Sequence, residues 1–134
     1  MTPEDWPGVR SAYLEGIATG QATFEETAPE EYAAWSASRL ATCRLVAHPT
    51  GDASDVLGWA ALSPVSSRPV YRGVAEVGIY VAARARGQGV GRALMGALVA
   101  ASEAEGIWTL QSAVFPENAA TLALHAAFGF REVG

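Results

Sequence analysis

The sequence predicts a mixed α/β layer fold built as one domain, residues 1–134. Three observations predict it. Segments of helical period alternate with short, β-branched apolar runs along the 134 residues. A basic, glycine-rich connection joins the third apolar run to the longest helical segment. Half of the residues are hydrophobic and 17% are charged, the composition of a globular chain long enough to bury a core.

The chain opens on a helix. Thr2 stands as N-cap, Pro3 takes the first helical position, and Asp5 has the capping-box spacing. Trp6, Val9, Tyr13 and Ile17 mark its apolar face, and Gly16 and Gly20 loosen its end. After a polar turn through Ala22-Thr23-Phe24-Glu25, Thr27 and Glu30 repeat the capping-box spacing ahead of a second helix carrying Tyr32, Trp35 and Leu40. Strands are expected at 44–48 and 56–62, the latter containing Trp59, with turn chemistry in Pro49-Thr50-Gly51-Asp52 between them. A Ser/Pro/Arg loop spans 63–72, and a third strand spans 74–81. The connection at 82–88 leads to a helix over 89–105, with Val90, Leu94, Leu98 and Ala101 on one face and Gly106 as its stop. A strand over 109–114, a loop at 115–117, a helix over 118–128 stopped by Gly129, and the start of a strand at 130–133 complete the chain. The order is α-α-β-β-β-α-β-α-β.

A net charge of −5 argues against a non-specific nucleic-acid binder. The longest apolar run, 93–101, is far short of the roughly twenty residues that cross a membrane. The start has neither a basic nor an apolar leader region, so a cytoplasmic protein is expected. Cys43, the single cysteine, excludes an internal disulfide framework and a cysteine-built zinc site; no metal is expected. All nine basic residues are arginine, and Arg68, Arg72, Arg84, Arg86 and Arg92 fall in a stretch where Glu76 is the only acid. Such a concentration fits an anion held there. The alternative, without a ligand, is codon usage plus chance clustering.

Three constellations carry chemistry. The first is Arg86-Gly87-Gln88-Gly89-Val90-Gly91-Arg92, between a strand and a helix. Glycines let a backbone approach a ligand, and a helix start presents unpaired N–H groups to an anion. The Gly-Lys-Ser/Thr ending of a Walker loop is absent, and the preceding strands do not form a dinucleotide-binding unit. A tight structural turn has the same glycines. The second is Glu76, which shares a strand face with Gly78 and Tyr80 while Val77, Ile79 and Val81 share the other. An acid in an apolar strand faces desolvation, which moves it toward general-base range; a solvated edge carboxylate is the plainer account. Gly78 in mid-strand points to a bulge or a close approach by a ligand. The third is Asn118 with His125, two helical turns apart on one face. Asn118 also suits an N-cap, and His125 also suits a partly buried structural position.

Together these residues resemble the GNAT N-acetyltransferase superfamily, whose acyl-CoA signature is Arg/Gln-x-x-Gly-x-Gly/Ala. More narrowly, Gly20-Gln21-Ala22-Thr23-Phe24-Glu25, Arg68-Pro69-Val70-Tyr71-Arg72-Gly73, Glu76-Val77-Gly78-Ile79-Tyr80-Val81, and Glu117-Asn118 with His125 and Gly129-Phe130-Arg131 are similar to phosphinothricin and methionine-sulfoximine acetyltransferases. The resemblance implies a GNAT-type mixed sheet with flanking helices and acetyl transfer from acetyl-CoA to the α-amine of a small amino-acid-like acceptor. It implies pantetheine pairing by the main chain of Ile79, Tyr80 and Val81. It implies a pyrophosphate cradle from Arg86, Gly87, Gln88, Gly89, Val90, Gly91 and Arg92, with Asn118 holding the CoA arm. Glu76 would be the base and His125 the acid. Phe24, Arg68, Tyr71 and Arg72 would line the acceptor site. It implies a homodimer. It also implies a strand before the first helix and more strands after Gly129-Phe130-Arg131, so a domain shortened at both ends is expected. Another amine acceptor, or a non-catalytic acyl-CoA-binding remnant, are the alternatives.

Overall fold

The computed structural model describes residues 1–18, 28–52, 54–65, 73–112 and 124–130. Alternation along its central strand sets the layers. In β2 (Gly58–Pro64), Trp59 and Ala61 point one way and Ala60 and Leu62 the other, and all four are buried. A strand apolar on both faces requires cover on both. α1 (Trp6–Ala18) and α2 (Tyr32–Ala37) supply it on the Trp59 face, and α3 (Val90–Ala104) on the Leu62 face.

Among the described residues the sheet has four strands in the order β1 (Leu45–Ala47), β2, β3 (Val74–Val81) and β4 (Thr109–Gln111). β1 with β2 and β2 with β3 are antiparallel; β3 with β4 is parallel. A parallel pair needs a crossover, and α3 provides it. β3 has the bounds read from its alternation.

α1 begins from a 3-10 turn, Pro3–Asp5, where the Asp5 carboxylate accepts the Thr2 N–H at 2.9 Å, as the capping-box spacing predicts. Trp6, Val9 and Tyr13 are buried, and Ile17 packs half-buried beside them. Tyr13 lies 4.8 Å from Tyr80 and 5.5 Å from Trp59, and Tyr80 stacks on Trp59 at 4.9 Å. Ring pairs of this kind contribute about 0.5–1.5 kcal/mol each beyond the area they bury.

α2 starts later than expected. The Trp6 indole N–H donates to the Glu30 carbonyl and Arg10 Nε to the Pro29 carbonyl, both at 2.9 Å. These bonds tie the chain to α1 and defer the helix to Tyr32, with Glu31 as N-cap. Thr27 lies outside the described residues. Leu40 lies beyond the helix and donates its N–H to the Leu62 carbonyl at 2.8 Å. The Arg44 guanidinium closes α2. It donates to the Ser36 carbonyl at 3.0 Å, the Ser36 hydroxyl at 2.7 Å, the Tyr32 hydroxyl at 3.1 Å and the Leu40 carbonyl at 2.6 Å, and stands over the Trp35 ring. It thereby ties the end of the helix to the chain that follows it.

That role moves the first strand. Arg44 belongs to the helix end, Cys43 before it has a left-handed φ of 60°, and pairing starts only at Leu45. Leu57 gives its N–H to Ala47 and its carbonyl to Ala82, both at 2.8 Å, so regular β2 starts at Gly58 and runs on to Pro64. α3 ends as read from Gly106, which has a φ of 77°. Gly106 N–H donates to the Glu103 carbonyl at 3.1 Å and Ile107 N–H to the Ser102 carbonyl at 3.0 Å, a Schellman stop. Residues 124–127 are helical, and Gly129 (φ 86°) ends them by the same motif. The expected strand at 130–133 falls on Phe130, which is not in a strand, and on positions outside the described residues. No helix among the described residues is long and apolar enough to cross a membrane.

Candidate active site

The direction of each main-chain group in β3 follows from bonds at its two ends. The Gly73 carbonyl accepts the Trp108 and Thr109 N–H groups at 2.9 and 3.0 Å, on the β4 side. The Ala82 N–H donates to the Leu57 carbonyl at 2.8 Å, on the β2 side. Along an extended strand, successive residues address alternate neighbours. Ala75, Val77, Ile79 and Val81 therefore face the β4 side, and Glu76, Gly78 and Tyr80 face β2. The described pairing with β4 covers only Val74, Ala75 and Glu76. Val77, Ile79 and Val81 thus present their N–H and C=O beyond it. Of the three residues expected to offer main-chain groups to a ligand, Ile79 and Val81 are turned that way, while Tyr80 is turned to Trp59 of β2.

β2–β3 pairing is continuous from Gly58 with Val81 to Pro64 with Ala75, so Gly78 is not the site of a bulge. Its missing side chain leaves a notch between Glu76 and Tyr80, and a Cβ there would lie 3.8 Å from the Trp59 ring.

At the end of β3 the chain makes a 3-10 turn, Ala83–Ala85, and then the glycine loop. Gly87 and Gly89 have φ of 77° and 83°, and no heavy atom lies within 4 Å of the place a Cβ would take at either. Side chains are disfavoured there by conformation, and the space beside both glycines is open. Gly89 is the N-cap of α3, whose first N–H groups are therefore presented at the loop. Gly91 has another role: its Cβ would come 3.4 Å from Leu124 and 3.7 Å from Val81, so it seats the helix at 124–127 against α3.

The arginine stretch divides. Arg84 forms an ion pair with Asp55 and donates to the Val56 carbonyl at 3.2 Å, so it is a structural tie and not an open anion ligand. The Gln88 side chain turns back to donate to the Arg84 carbonyl at 3.0 Å. Arg86 and Arg92 are exposed beside the loop, with no ion-pair partner among the described residues. Phe24, Arg68, Tyr71, Arg72 and Asn118 lie outside the described residues.

Glu76 is exposed, so the desolvation expected of a carboxylate in an apolar strand is not there. It stands on the face it shares with Gly78 and Tyr80, as its alternation predicts. His125 is buried, with its ring edge-on to Phe130 at 4.9 Å. Its neighbours Leu124 and Phe128 reach Gly91 and Gly96 of α3. Cys43 belongs to the α3-side core, where burial pushes its thiol pKa up. That suits packing better than acyl transfer. Among the described residues no group of three or more His, Cys, Asp or Glu is placed to hold a metal.

The profile described as the acetyltransferase (GNAT) family matches residues 6–130. The chain belongs to the GNAT acetyltransferase family. Its relatives include the phosphinothricin N-acetyltransferase of Streptomyces coelicolor, 33% identical over 98% of this chain and 79% of that one. The L-methionine sulfoximine/L-methionine sulfone acetyltransferase of Pseudomonas aeruginosa is 30% identical over 97% of this chain and 77% of that one. A phosphinothricin acetyltransferase from Sinorhizobium meliloti, solved in complex with acetyl-CoA, superposes with a TM-score of 0.87 at 30% identity. That comparison covers all of this chain and 74% of the other. The acetyltransferase thus carries the fold that the Arg86–Arg92 motif implied. Two structural ties escaped sequence reasoning: Arg84 to Asp55, and Glu15, whose carboxylate accepts the Ala83 N–H. Both partners are remote in sequence, and no local spacing marks them.

Proposed function

We propose that this acetyltransferase moves acetyl from acetyl-CoA to the α-amine of a small amino-acid-like acceptor such as phosphinothricin or methionine sulfoximine. One observation carries the reading: the described pairing of β3 with β4 ends at Glu76, and Ile79 and Val81, whose main-chain groups face that side, lead directly into the glycine loop and the start of α3. An elongated donor with an anionic pyrophosphate matches that sequence of groups. Its pantetheine arm would pair along the strand edge. Its phosphates would lie on the N–H groups about Gly87–Val90, flanked by Arg86 and Arg92.

The chemistry is direct transfer. An α-ammonium, mostly protonated at neutral pH, must lose a proton before its nitrogen can attack. Glu76 takes that proton, directly or through one water. A C–N bond forms at the thioester carbon while the β3 edge donates to the developing oxyanion. The C–S bond then breaks, and His125 supplies the proton that turns the thiolate into free CoA. Phe24, Arg68, Tyr71 and Arg72 complete the acceptor side in this reading, and Asn118 the donor side. The relatives' named substrates support the acceptor class, and the arginine-bearing segment suits a carboxylate or phosphinate.

The reading includes a homodimer in the cytoplasm; light scattering on the purified protein tests the former. Activity is tested by mixing the protein with acetyl-CoA and L-phosphinothricin, L-methionine sulfoximine or a polyamine, and following free thiol. Thiol release with the first two and not the last is expected. Donor binding without turnover on any amine would instead favour an acyl-CoA-binding remnant.

A further inference from the structure

We infer that Glu15 of α1 is a positioning residue for the donor loop, acting through the Ala83 N–H. The inference rests on the donor site proposed above. Ala82 spends its N–H on Leu57 within the sheet. Ala83 is the first donor past the sheet and opens the 3-10 turn Ala83–Ala85, where a turn's leading N–H has no partner of its own. The Glu15 carboxylate fills that need from a helix 68 residues away in sequence.

The next residues are tied as well. Arg84 is held by Asp55 and Val56, and Gln88 by the Arg84 carbonyl. The chain from the end of β3 to Gly89 is therefore fixed at 82, 83, 84 and 88, immediately before the left-handed glycine that caps α3. Fixing a binding loop before the ligand arrives lowers the ordering cost of binding. Of these ties, Glu15 is the one from α1, the helix whose Tyr13 also packs on Tyr80 of β3. One helix thus supports both the strand edge and the loop that follows it. Neither Arg86 nor Arg92 shares a described contact with Glu15, so its action on the donor is indirect.

The test compares Glu15→Met, which fills the volume but cannot accept, with Glu15→Gln, which keeps an accepting oxygen. Acetyl-CoA affinity is measured by calorimetry and both KM values by thiol release. For Glu15→Met the expected result is a rise of about five- to tenfold in acetyl-CoA Kd and KM, with kcat at saturating donor and acceptor KM within twofold of wild type. Glu15→Gln should restore wild-type donor affinity. If Glu15→Met does not fold, Glu15→Ala takes its place. The inference is overturned if neither folds, if Glu15→Gln loses as much as the non-accepting variant, or if kcat falls with donor KM unchanged. Failure of the wild-type protein to bind acetyl-CoA would overturn the donor site itself, which is a separate result.

Discussion

The His125 imidazole meets the Phe130 ring edge to face, with centroids 4.9 Å apart and planes at 82°. The two residues are also joined by main chain: Phe130 N–H donates to the His125 carbonyl at 3.1 Å. This is the long bond of the Schellman stop at Gly129, and the ring contact takes the place of the apolar contact that usually accompanies it. A residue assigned to proton transfer is thus also part of a helix terminus.

The two roles separate by substitution. His125→Phe keeps an aromatic partner for Phe130 and removes the ring nitrogens. Its melting temperature should stay within about 4 °C of wild type, while kcat drops by roughly tenfold or more. His125→Ala should lose both. Calorimetric melts and steady-state rates on the two variants decide it; full kcat in His125→Phe would leave only the helix stop.

Glu76→Gln should keep acetyl-CoA affinity and lower kcat/KM at neutral pH by roughly 10²–10⁴. Raising the pH should recover part of the loss, because the acceptor amine then deprotonates in solution. A rate profile from pH 7 to 10 measures this. Wild-type activity of the variant at pH 7 would make Glu76 a solvated strand carboxylate and nothing more.

Gly89→Val should weaken acetyl-CoA binding more than tenfold, about 1.4 kcal/mol. Gly89 has a φ of 83°, which a branched side chain resists, and that side chain would also occupy the open space beside the loop. Titration calorimetry reads the change. Unaltered affinity would remove the loop from the donor site.

Stability should fall in alkali through Cys43. Burial raises the folded thiol pKa, so its contribution is complete below the unfolded thiol pKa of about 8.5 and is lost as pH rises through the folded one. Urea midpoints at pH 7, 8.5 and 10 for wild type and Cys43→Ala should show a steeper decline in wild type. Parallel curves would assign the alkaline loss to other groups.

Much of this was legible where a local pattern and the tertiary structure agree. β3 alternates Val77, Ile79 and Val81 against Glu76, Gly78 and Tyr80, and its bounds and faces follow directly. Gly106 and Gly129 mark helix ends because a left-handed residue is needed there. Legibility failed where a distant side chain takes a backbone group. Trp6 and Arg10 hold the carbonyls of Glu30 and Pro29 and delay α2; Arg44 is diverted from β1 to the end of that helix. In the site, counting arginines could not reveal that Arg84 serves Asp55. Nor could glycine spacing show that Gly91 is a packing position while Gly87 and Gly89 are conformational ones.

The described pairing of β3 with β4 ends at Glu76, and the main-chain groups of Ile79 and Val81 lie past it. A donor laid along Ile79 and Val81 would extend the sheet there, so substrate occupancy and folding free energy would become linked quantities. At a donor concentration a hundred times Kd the linkage adds about 2.7 kcal/mol, a large share of the roughly 5–15 kcal/mol that holds a typical domain together. The lifetime of this enzyme in a cell would then follow the size of the acyl-thioester pool, shortening under starvation before any regulator acts on it.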